Sequence, residues 1–260
     1  MPDHPLLPDL LSAAIDAGRA ICDIYSRGFE VQRKADTSPV TEADHAAEAI
    51  ILERLARAAP GIPVVAEEEV AAGRIPVIGD RFFLVDPLDG TREFVARRGE
   101  FTVNIALIEN GDPVLGVVYA PANSRLFAGD VANGNAFRSA QRTENRELAP
   151  RESIHVREVP ARGVTAVASR SHRTPETDAF LLSAKVKDLV SIGSSLKFGL
   201  VASGEADLYP RLGPTMEWDT AAGHAVLAAA GGKVATLEGA PLRYGKPGFR
   251  NPSFIASSGR

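Results

Sequence analysis

Apolar residues recur at helical spacing in the first part of the chain and then give way to short apolar runs. The spacing predicts an amphipathic helix over residues 8–25 and a second helix from Thr41 to about Ala59, ended by Pro60-Gly61. The short runs predict strands at 62–66, 82–85, 101–109 and 114–120. Because Asn110-Gly111 is a strong hairpin signal, the last two strands should be antiparallel.

The second half of the chain alternates strands and helices at short intervals. The predicted pairs are strand 164–168 with helix 174–184, strand 188–192 with helix 195–203, and strand 206–209 with helix 220–230. Between the halves, residues 132–153 are polar and rich in Asn, Arg and Glu, which predicts a boundary between domains 1–140 and 141–260. The pattern predicts an α+β first half, with a mixed and largely antiparallel sheet, packed on an α/β second half that completes a cleft.

Composition narrows the class of protein. The 260 residues suffice to bury a substantial core, and a net charge of −4 without a basic stripe disfavours nucleic-acid binding. Cys22 is the only cysteine, which excludes an internal disulfide and a cysteine-rich zinc site. The first residues lack a signal-peptide profile, and no apolar run approaches the roughly 20 residues of a membrane span. We therefore expect a cytoplasmic protein without a transmembrane segment, and leave peripheral membrane association open.

The segment Asp86-Pro87-Leu88-Asp89-Gly90-Thr91 follows the apolar run 82–85 and adds candidate chemistry. A strand here delivers two carboxylates three positions apart, and the Leu88 carbonyl should face the same space. Three oxygens from one turn suit a hard cation such as Mg²⁺. Thr91 opens the amphipathic stretch 91–97, whose first N–H groups would stabilise an anion. The combination indicates metal-assisted phosphoryl hydrolysis, although Asp, Pro and Gly are also the commonest turn formers.

Three other acidic sites could take part in the same chemistry, but each also has an ordinary structural explanation. Glu67-Glu68-Glu69 ends a predicted strand, so it is either solvated loop charge or part of a crevice shared with Asp86. Asp219 precedes the last predicted helix and would serve as an ordinary N-cap. Asp44 closes the segment 41–44, which resembles a capping box.

Other phosphatase chemistries fit poorly. A cysteine phosphatase needs an arginine six positions after its cysteine, whereas Arg27 follows Cys22 by five. Asp86 and Asp89 do not have the D-x-D spacing of aspartyl-phosphate enzymes, and no P-loop motif is present. The five histidines show no metal-pair spacing. Water activated by metals remains the expected nucleophile.

Three acidic segments together resemble the signature of the inositol monophosphatase superfamily. They are Glu67-Glu68, the segment 86–91, and Trp218-Asp219 followed by Ala221-Ala222-Gly223. The resemblance covers nearly the whole chain, beginning at Lys34-Ala35-Asp36 and 41–44. Within the superfamily the chain looks most like bacterial 3′(2′),5′-bisphosphate nucleotidases of the CysQ type, in the stretches 99–106, 169–172, 191–198 and 207–211.

This resemblance implies a layered αβαβα sandwich and a Mg²⁺-dependent, lithium-sensitive phosphatase. Such an enzyme removes the 3′-phosphate of adenosine 3′,5′-bisphosphate (PAP), a by-product of sulfate assimilation, and leaves AMP. Conversion of the related phosphosulfate, PAPS, to APS would use the same chemistry. The preference between the two, the oligomeric state and the role of Glu217 stay open, and a homodimer is compatible with the sequence.

The resemblance also assigns the metal ligands. Glu67, Asp86 and the Leu88 carbonyl would hold one Mg²⁺. Asp86, Asp89 and Asp219 would hold a second. No departure from the family pattern occurs at these positions.

The remaining roles in catalysis follow in the same way. Asp44 and Thr91 would position the attacking water, with a third, weaker metal left open. Glu68 would support the ligands from behind, and Gly90 and Thr91 would offer amides to the phosphate.

Substrate choice can be argued from charge. A bisphosphate nucleotide carries a second phosphate that inositol phosphate lacks, so its pocket should contain cations that the metal centre does not need. Arg170, Lys197 and Arg211 lie at the ends of second-half elements and are the candidates, although each could be a surface charge. Ser194 and Asp219 complete the predicted substrate contacts.

Two alternative functions stay open at this point. An inositol-phosphate or sugar-phosphate monoesterase would use the same metal centre. A non-catalytic nucleotide- or metal-binding protein would have lost a metal ligand, and every ligand is present.

Overall fold

Helices account for the longer apolar periods of the sequence. Within residues 2–33, 39–141 and 148–259, which this computed structural model describes, the α-helices are α1 (Leu7–Arg27), α2 (Glu42–Ala58), α3 (Glu67–Ala71), α4 (Thr91–Val95), α5 (Pro175–Ser183), α6 (Leu196–Ala202) and α7 (Ala221–Ala229). The Lys34-Ala35-Asp36 segment of the family resemblance lies outside the described residues. Among the described helices, none has the length and apolar character needed to cross a membrane.

The strands form two main sheets and two short pairs. In chain order they are β1 (Val31–Arg33), β2 (Pro39–Thr41), β3 (Val64–Ala66), β4 (Arg81–Asp89), β5 (Thr102–Glu109), β6 (Asp112–Ala120), β7 (Arg125–Asp130), β8 (Asn135–Ala140), β9 (Glu152–Ser153), β10 (Thr165–Ser169), β11 (Asp188–Ile192), β12 (Leu208–Arg211), β13 (Thr215–Met216), β14 (Lys233–Thr236), β15 (Arg250–Asn251) and β16 (Phe254–Ser257). The first sheet has the order β3-β4-β5-β6-β7-β8-β9, and only β3 and β4 pair in parallel. The second has the order β11-β10-β12-β16-β14, with β16 antiparallel to both of its neighbours. β1 pairs with β2, and β13 pairs with β15.

The elements stack in five layers. α1 and α2 cover one face of the first sheet, where α1 contacts β5 and β6 and α2 contacts β4. α6 and α7 lie between the sheets, since α7 contacts β6 and β7 on one side and β14 on the other, while α6 contacts β10, β12 and β16. On β10, Val167 joins the central core, whereas Ala166 and Ala168 form a separate cluster with Leu181 of α5. α5 therefore covers the outer face of the second sheet, and the αβαβα order is confirmed.

Two glycines allow α7 to lie close against the first sheet. A Cβ at Gly116 would come within 2.4 Å of the Ala222 carbonyl oxygen, and a Cβ at Gly129 would come within 2.6 Å of Val226 Cα. Because these neighbours are backbone atoms of a packed helix, they cannot move aside without displacing it. The contact fixes the helix that directly follows Asp219.

Most predicted elements are confirmed. The predicted helices and the second-half strands end within two residues of the observed bounds. Asn110 and Gly111 both have positive φ, 51° and 79°, and join β5 to β6 as a hairpin.

The differences concern short strands with polar residues. The polar stretch 132–153, predicted as a boundary, contains β8 and β9 at the edge of the first sheet. An edge strand faces solvent on one side, so polar composition does not prevent pairing. The division into 1–140 and 141–260 stays a prediction, although β9 shows that the first sheet extends past residue 140. The prediction also omitted strands β1, β2, β7, β13, β14, β15 and β16, of which all but β7 have four residues or fewer.

Candidate active site

The end of β4 carries both aspartates of the segment 86–91. β4 continues through Asp86 to Asp89, and its pairing with β5 shifts register between them. A bulge therefore replaces the strand end predicted at residue 85. The Asp86 side chain is buried, and its Oδ1 accepts a hydrogen bond from the Leu88 amide at 3.0 Å.

Gly90 turns the chain from β4 into α4. It adopts a left-handed conformation (φ 92°, ψ 38°), and a Cβ there would lie 3.0 Å from the Glu100 carbonyl oxygen. Glycine is therefore required at this turn. The turn places Thr91 Oγ1 3.2 Å from both Asp44 Oδ1 and the Leu88 carbonyl oxygen, so its one proton can go to either acceptor.

Asp44 links the start of α2 to the turn after β4. The residue is 1% exposed. Its Oδ2 accepts a hydrogen bond from the Thr41 amide at 2.8 Å, and Thr41 Oγ1 accepts one from the Ala43 amide, which completes a capping box at α2. Its Oδ1 faces Thr91. One oxygen thus caps the helix while the other reaches the active-site turn.

Glu67, Asp86 and Asp219 converge from three different elements. One carboxylate oxygen of each lies within 4.8 Å of the others. Burial raises the pKa of Asp219 well above its ordinary value, and the charges of Asp89 and Glu67 raise it further. Like charges at such separations repel each other unless a cation neutralises them, and carboxylate oxygens are the ligands that Mg²⁺ takes. The residues present therefore fit a hard divalent cation.

Backbone amide and hydroxyl groups orient the carboxylates of Asp219 and Asp89. Asp219 lies one residue before the N-cap of α7, and its Oδ2 accepts a hydrogen bond from the Met216 amide at 2.8 Å. Ser195 Oγ lies 2.8 Å from Asp89 Oδ2 and 2.8 Å from the Asp219 carbonyl oxygen. Asn104 Nδ2 donates to the same hydroxyl at 2.9 Å. The sequence offered the hydroxyl of Ser195 only as a donor to the ligand and gave no role to Asn104, although both lie in stretches that carry the family resemblance.

The acidic triplet divides between the site and the surface. Glu67 lines the cavity described below. Glu68 is buried outside the cavity lining, and its amide donates to Glu48 Oε2 at 2.9 Å. Glu69 pairs with Arg74 through two hydrogen bonds of 2.6 and 2.7 Å, which hold the pKa of Glu69 below its ordinary value. Of the triplet only Glu69 is a surface charge, and it lies in α3 rather than in a loop, while the supporting role of Glu68 stays a prediction.

A cavity of about 400 Å³ lies beside the acidic cluster. Its acidic lining includes the four predicted metal carboxylates, Glu67, Asp86, Asp89 and Asp219. Its basic lining consists of Arg92, His172, Lys197, Arg211 and Arg250. Gly90, Thr91 and Ser194 also line it, as predicted for residues that contact substrate. One cavity thus offers carboxylates for a metal and separate cations for an anion.

Lys197 and Arg211 are buried cations in this cavity. Lys197 is 4% exposed, its Nζ donates to the Ser194 carbonyl, and it lies 5.3 Å from the Tyr209 ring centre. Burial lowers the pKa of Lys197 to about 8. Arg211 Nη2 donates to the Pro214 carbonyl at 2.9 Å, while its buried Nε has no hydrogen-bond partner among the described residues. Such a donor suits an anionic ligand.

Three basic residues of the lining are absent from the sequence-based prediction. Burial and the nearby Arg211 charge together lower the pKa of His172 to about 4, so its imidazole is neutral near pH 7. Arg92 directly follows the segment 86–91 and His172 ends the stretch 169–172, so both were within reach of sequence reasoning. Arg250 has no such signal in the sequence. It reaches the site only through the pairing of β15 with β13.

Arg170 and Glu217 lie outside the cavity lining. Arg170, predicted as a substrate contact, pairs with Glu100 through hydrogen bonds of 2.8 and 3.0 Å. Glu217 is fully buried and accepts hydrogen bonds from the Gly245 amide at 2.7 Å and the Lys246 amide at 2.9 Å. Lys246 Nζ adds an ion pair with Glu217 at 2.6 Å. Glu217 therefore anchors the loop before β15.

Comparison with known proteins defines the family. The family model described as "Inositol monophosphatase family" matches residues 4–258, and the chain belongs to that family. It is 47% identical over 255 residues to "3'(2'),5'-bisphosphate nucleotidase CysQ" of Shigella flexneri, covering 97% of this chain and 99% of the relative. It is 46% identical, with the same coverage, to the protein of that name from Escherichia coli (strain K12).

Solved structures agree with this assignment. The crystal structure of CysQ from Bacteroides thetaiotaomicron, described as a bacterial member of the inositol monophosphatase family, superposes with a TM-score of 0.81 at 39% identity, covering 97% of this chain and 96% of that one. The inositol monophosphatase from Anabaena (Nostoc) sp. PCC 7120 gives a TM-score of 0.73 at 28% identity, covering 98% and 90%.

Proposed function

We propose that this protein is a Mg²⁺-dependent 3′(2′),5′-bisphosphate nucleotidase that hydrolyses the 3′-phosphate of PAP to give AMP. The observation that carries the proposal is that one cavity is lined both by the carboxylates of Glu67, Asp86 and Asp219 and by two buried cations, Lys197 and Arg211. The curated relatives named as such nucleotidases are up to 47% identical and cover 97% of this chain.

The metal would be held by oxygen ligands alone. Glu67, Asp86, Asp89, Asp219 and the Leu88 carbonyl are the ligands we assign, for two Mg²⁺ ions per site. When bound, Mg²⁺ neutralises phosphate charge and lowers the pKa of water. The close approach of the carboxylate oxygens and the raised pKa of Asp219 support a cation at this position.

The residues of the turn after β4 would orient the reacting groups. Thr91 and Asp44 share a hydrogen bond, so together they can fix the direction of a water molecule and accept its proton. Thr91 Oγ1 can instead donate to the Leu88 carbonyl, so the direction of its proton depends on which acceptor it faces. The amides of Gly90 and Thr91, at the start of α4, would donate to the phosphate being cleaved.

The basic residues of the cavity would select the nucleotide. The 5′-phosphate of PAP is a dianion, and a buried site for it requires cations that the metal ligands do not neutralise. Lys197 and Arg211 are buried and line the same cavity as Asp219. Ser194 lies beside them and supplies a hydroxyl. PAPS, which has a phosphosulfate in the same place, would bind through the same residues.

A direct comparison of substrates tests the proposal. Hydrolysis of PAP and inositol 1-phosphate would be measured side by side with Mg²⁺, with EDTA as the control. We expect PAP to be hydrolysed with the higher kcat/KM, and EDTA to abolish the reaction. Preference for inositol 1-phosphate would instead favour an inositol-phosphate monoesterase, like the Anabaena neighbour. No hydrolysis of either would favour a binding protein.

A further inference from the structure

The segment between β11 and α6 reaches the cavity through a rare backbone conformation. Ser194 has φ 53°, in the left-handed region that residues with a side chain seldom adopt. The Ser194 carbonyl accepts the hydrogen bond from Lys197 Nζ, so the direction of this carbonyl helps to set the position of the buried ammonium. Neighbouring groups must therefore hold Ser194 in place.

Two glutamates from the first half of the chain, Glu93 and Glu100, pack against this segment. Glu100 Oε2 accepts a hydrogen bond from the Gly193 amide at 2.9 Å. A Cβ at Gly193 would lie 2.7 Å from Glu93 Cγ and 2.9 Å from the Glu100 carbonyl oxygen. The backbone just before Ser194 is thus packed directly against both glutamates.

Arg170 completes the arrangement. Its Nε and Nη2 donate to the two carboxylate oxygens of Glu100 at 3.0 and 2.8 Å, and its Nη2 also donates to the Ser191 carbonyl at 2.7 Å. The guanidinium therefore links Glu100 to β11, and neither Arg170 nor Glu100 belongs to the cavity lining. A planar fork with two acceptors is a geometry that lysine cannot reproduce.

We propose that Arg170 is a positioning residue that acts through Glu100. The pair holds Gly193 and Ser194 so that Lys197 faces the anionic end of the ligand, and Arg170 does not touch the substrate. The proposal replaces the direct contact predicted for Arg170. It rests on the proposed function only for the identity of the substrate.

The Arg170–Glu100 pair, which we call the clamp, can be tested by hydrogen exchange without any assay of activity. In Arg170→Ala and Glu100→Ala, amide exchange in peptides spanning residues 191–197 should become faster. Arg138→Ala is the matched control, because Arg138 forms an equivalent fork with Glu152 (2.7 and 2.8 Å), its side chain is also 40% exposed, and it lies at the edge of the first sheet. Unchanged exchange at 191–197 in either clamp variant would overturn the proposal. This result is independent of which substrate the enzyme uses.

Kinetics distinguish positioning from direct contact. Arg170→Ala and Glu100→Ala should each raise KM for PAP about threefold or more, with little change in kcat, and the double variant should be no worse than the worse single variant. Arg170→Lys should behave like Arg170→Ala, since the charge survives but the fork does not. If Arg170 contacted the substrate directly, the losses in the double variant would multiply. Alternatively, Glu100→Ala would lower KM, because Arg170 would be released from Glu100. Either result would overturn the proposal.

Discussion

Ser195 Oγ lies 2.8 Å from Asp89 Oδ2 and joins the second half of the chain to a carboxylate at the end of β4. Both hydrogen bonds described for Asp89 come from neutral groups, this hydroxyl and the more distant Asn104 amide at 3.5 Å. These hydrogen bonds orient the Asp89 carboxylate beside the acidic cluster, where it could ligate a cation. Asp89 is accordingly the most direct test of the metal centre.

We expect Asp89→Asn to lower kcat about a hundredfold or more, since loss of a residue that merely supports a ligand already costs up to that much. The fold should be retained, because asparagine keeps the size of the side chain and relieves repulsion with Asp219. Calorimetric titration with Mg²⁺ would measure the lost affinity, and thermal melting in EDTA would serve as the control. Wild-type turnover by Asp89→Asn would rule out its assignment as a ligand.

Thr91→Ala and Asp44→Asn should both lower kcat and leave KM nearly unchanged, because their hydrogen bond matters when water attacks. The double variant should be little worse than either single variant, as expected for groups that act as one unit. Single-turnover measurements of all three variants would show this. Losses that multiply in the double variant would speak against a shared role.

Thr41→Ala separates helix capping from catalysis. Thr41 Oγ1 accepts from the Ala43 amide and donates to Asp44 Oδ2, whereas Thr91 contacts the other oxygen of Asp44, Oδ1. The variant should lose about 1 kcal/mol of unfolding free energy and retain kcat. If Asp44→Asn showed the same behaviour, its role would be capping alone.

Lys197→Ala and Arg211→Ala should each lower kcat/KM for PAP by about ten- to a hundredfold, because a charged contact is worth roughly 1.5–3 kcal/mol. Turnover of 2′-AMP, which lacks the 5′-phosphate, should barely change. Steady-state kinetics with both substrates would measure the difference. Equal losses for the two substrates would remove the basis for nucleotide selection but not for the metal-dependent reaction.

The same lysine predicts a pH dependence. Burial lowers the pKa of Lys197 from 10.5 to about 8, against the attraction of Asp89, Glu93 and Glu100 and with the repulsion of Arg211. The free enzyme thus loses this positive charge as pH rises through about 8, so KM for PAP should rise above that pH. In Lys197→Arg, whose charge persists, KM should stay level. A level KM for the wild type between about pH 7 and 9 would contradict the prediction.

The part of the site that could be predicted from the sequence is the part that local chemistry determines. Asp86, Asp89 and Gly90 lie in one turn, where residue types alone indicate oxygen ligands and a left-handed backbone. Asp219 was reached through its family motif, and its carboxylate does join those of Asp86 and Glu67. The layer order αβαβα also came from the family resemblance, and the apolar periods indicated the helices and strands that form those layers.

Contacts between residues that are distant in the sequence could not be predicted from it. Nothing near Arg170 in the sequence identifies Glu100, 70 positions earlier, as its partner. Arg250 reaches the cavity only because β15 pairs with β13. The carboxylate of Glu217 is equally ambiguous in sequence, since its partners at Gly245 and Lys246 come from a loop almost 30 residues later.

The position of β16 determines how late during synthesis the second sheet can form. β16, residues Phe254–Ser257, lies between β12 and β14 in the middle of the second sheet. The first sheet needs nothing beyond Ser153, so it can pair while the rest of the chain is still being made. The second sheet stays split until residue 257 has emerged. During that interval Glu67, Asp86 and Asp89 exist in a nascent chain that still lacks a completed cavity wall at Arg211 and Arg250. Activity should therefore appear only after the last strand has entered the sheet.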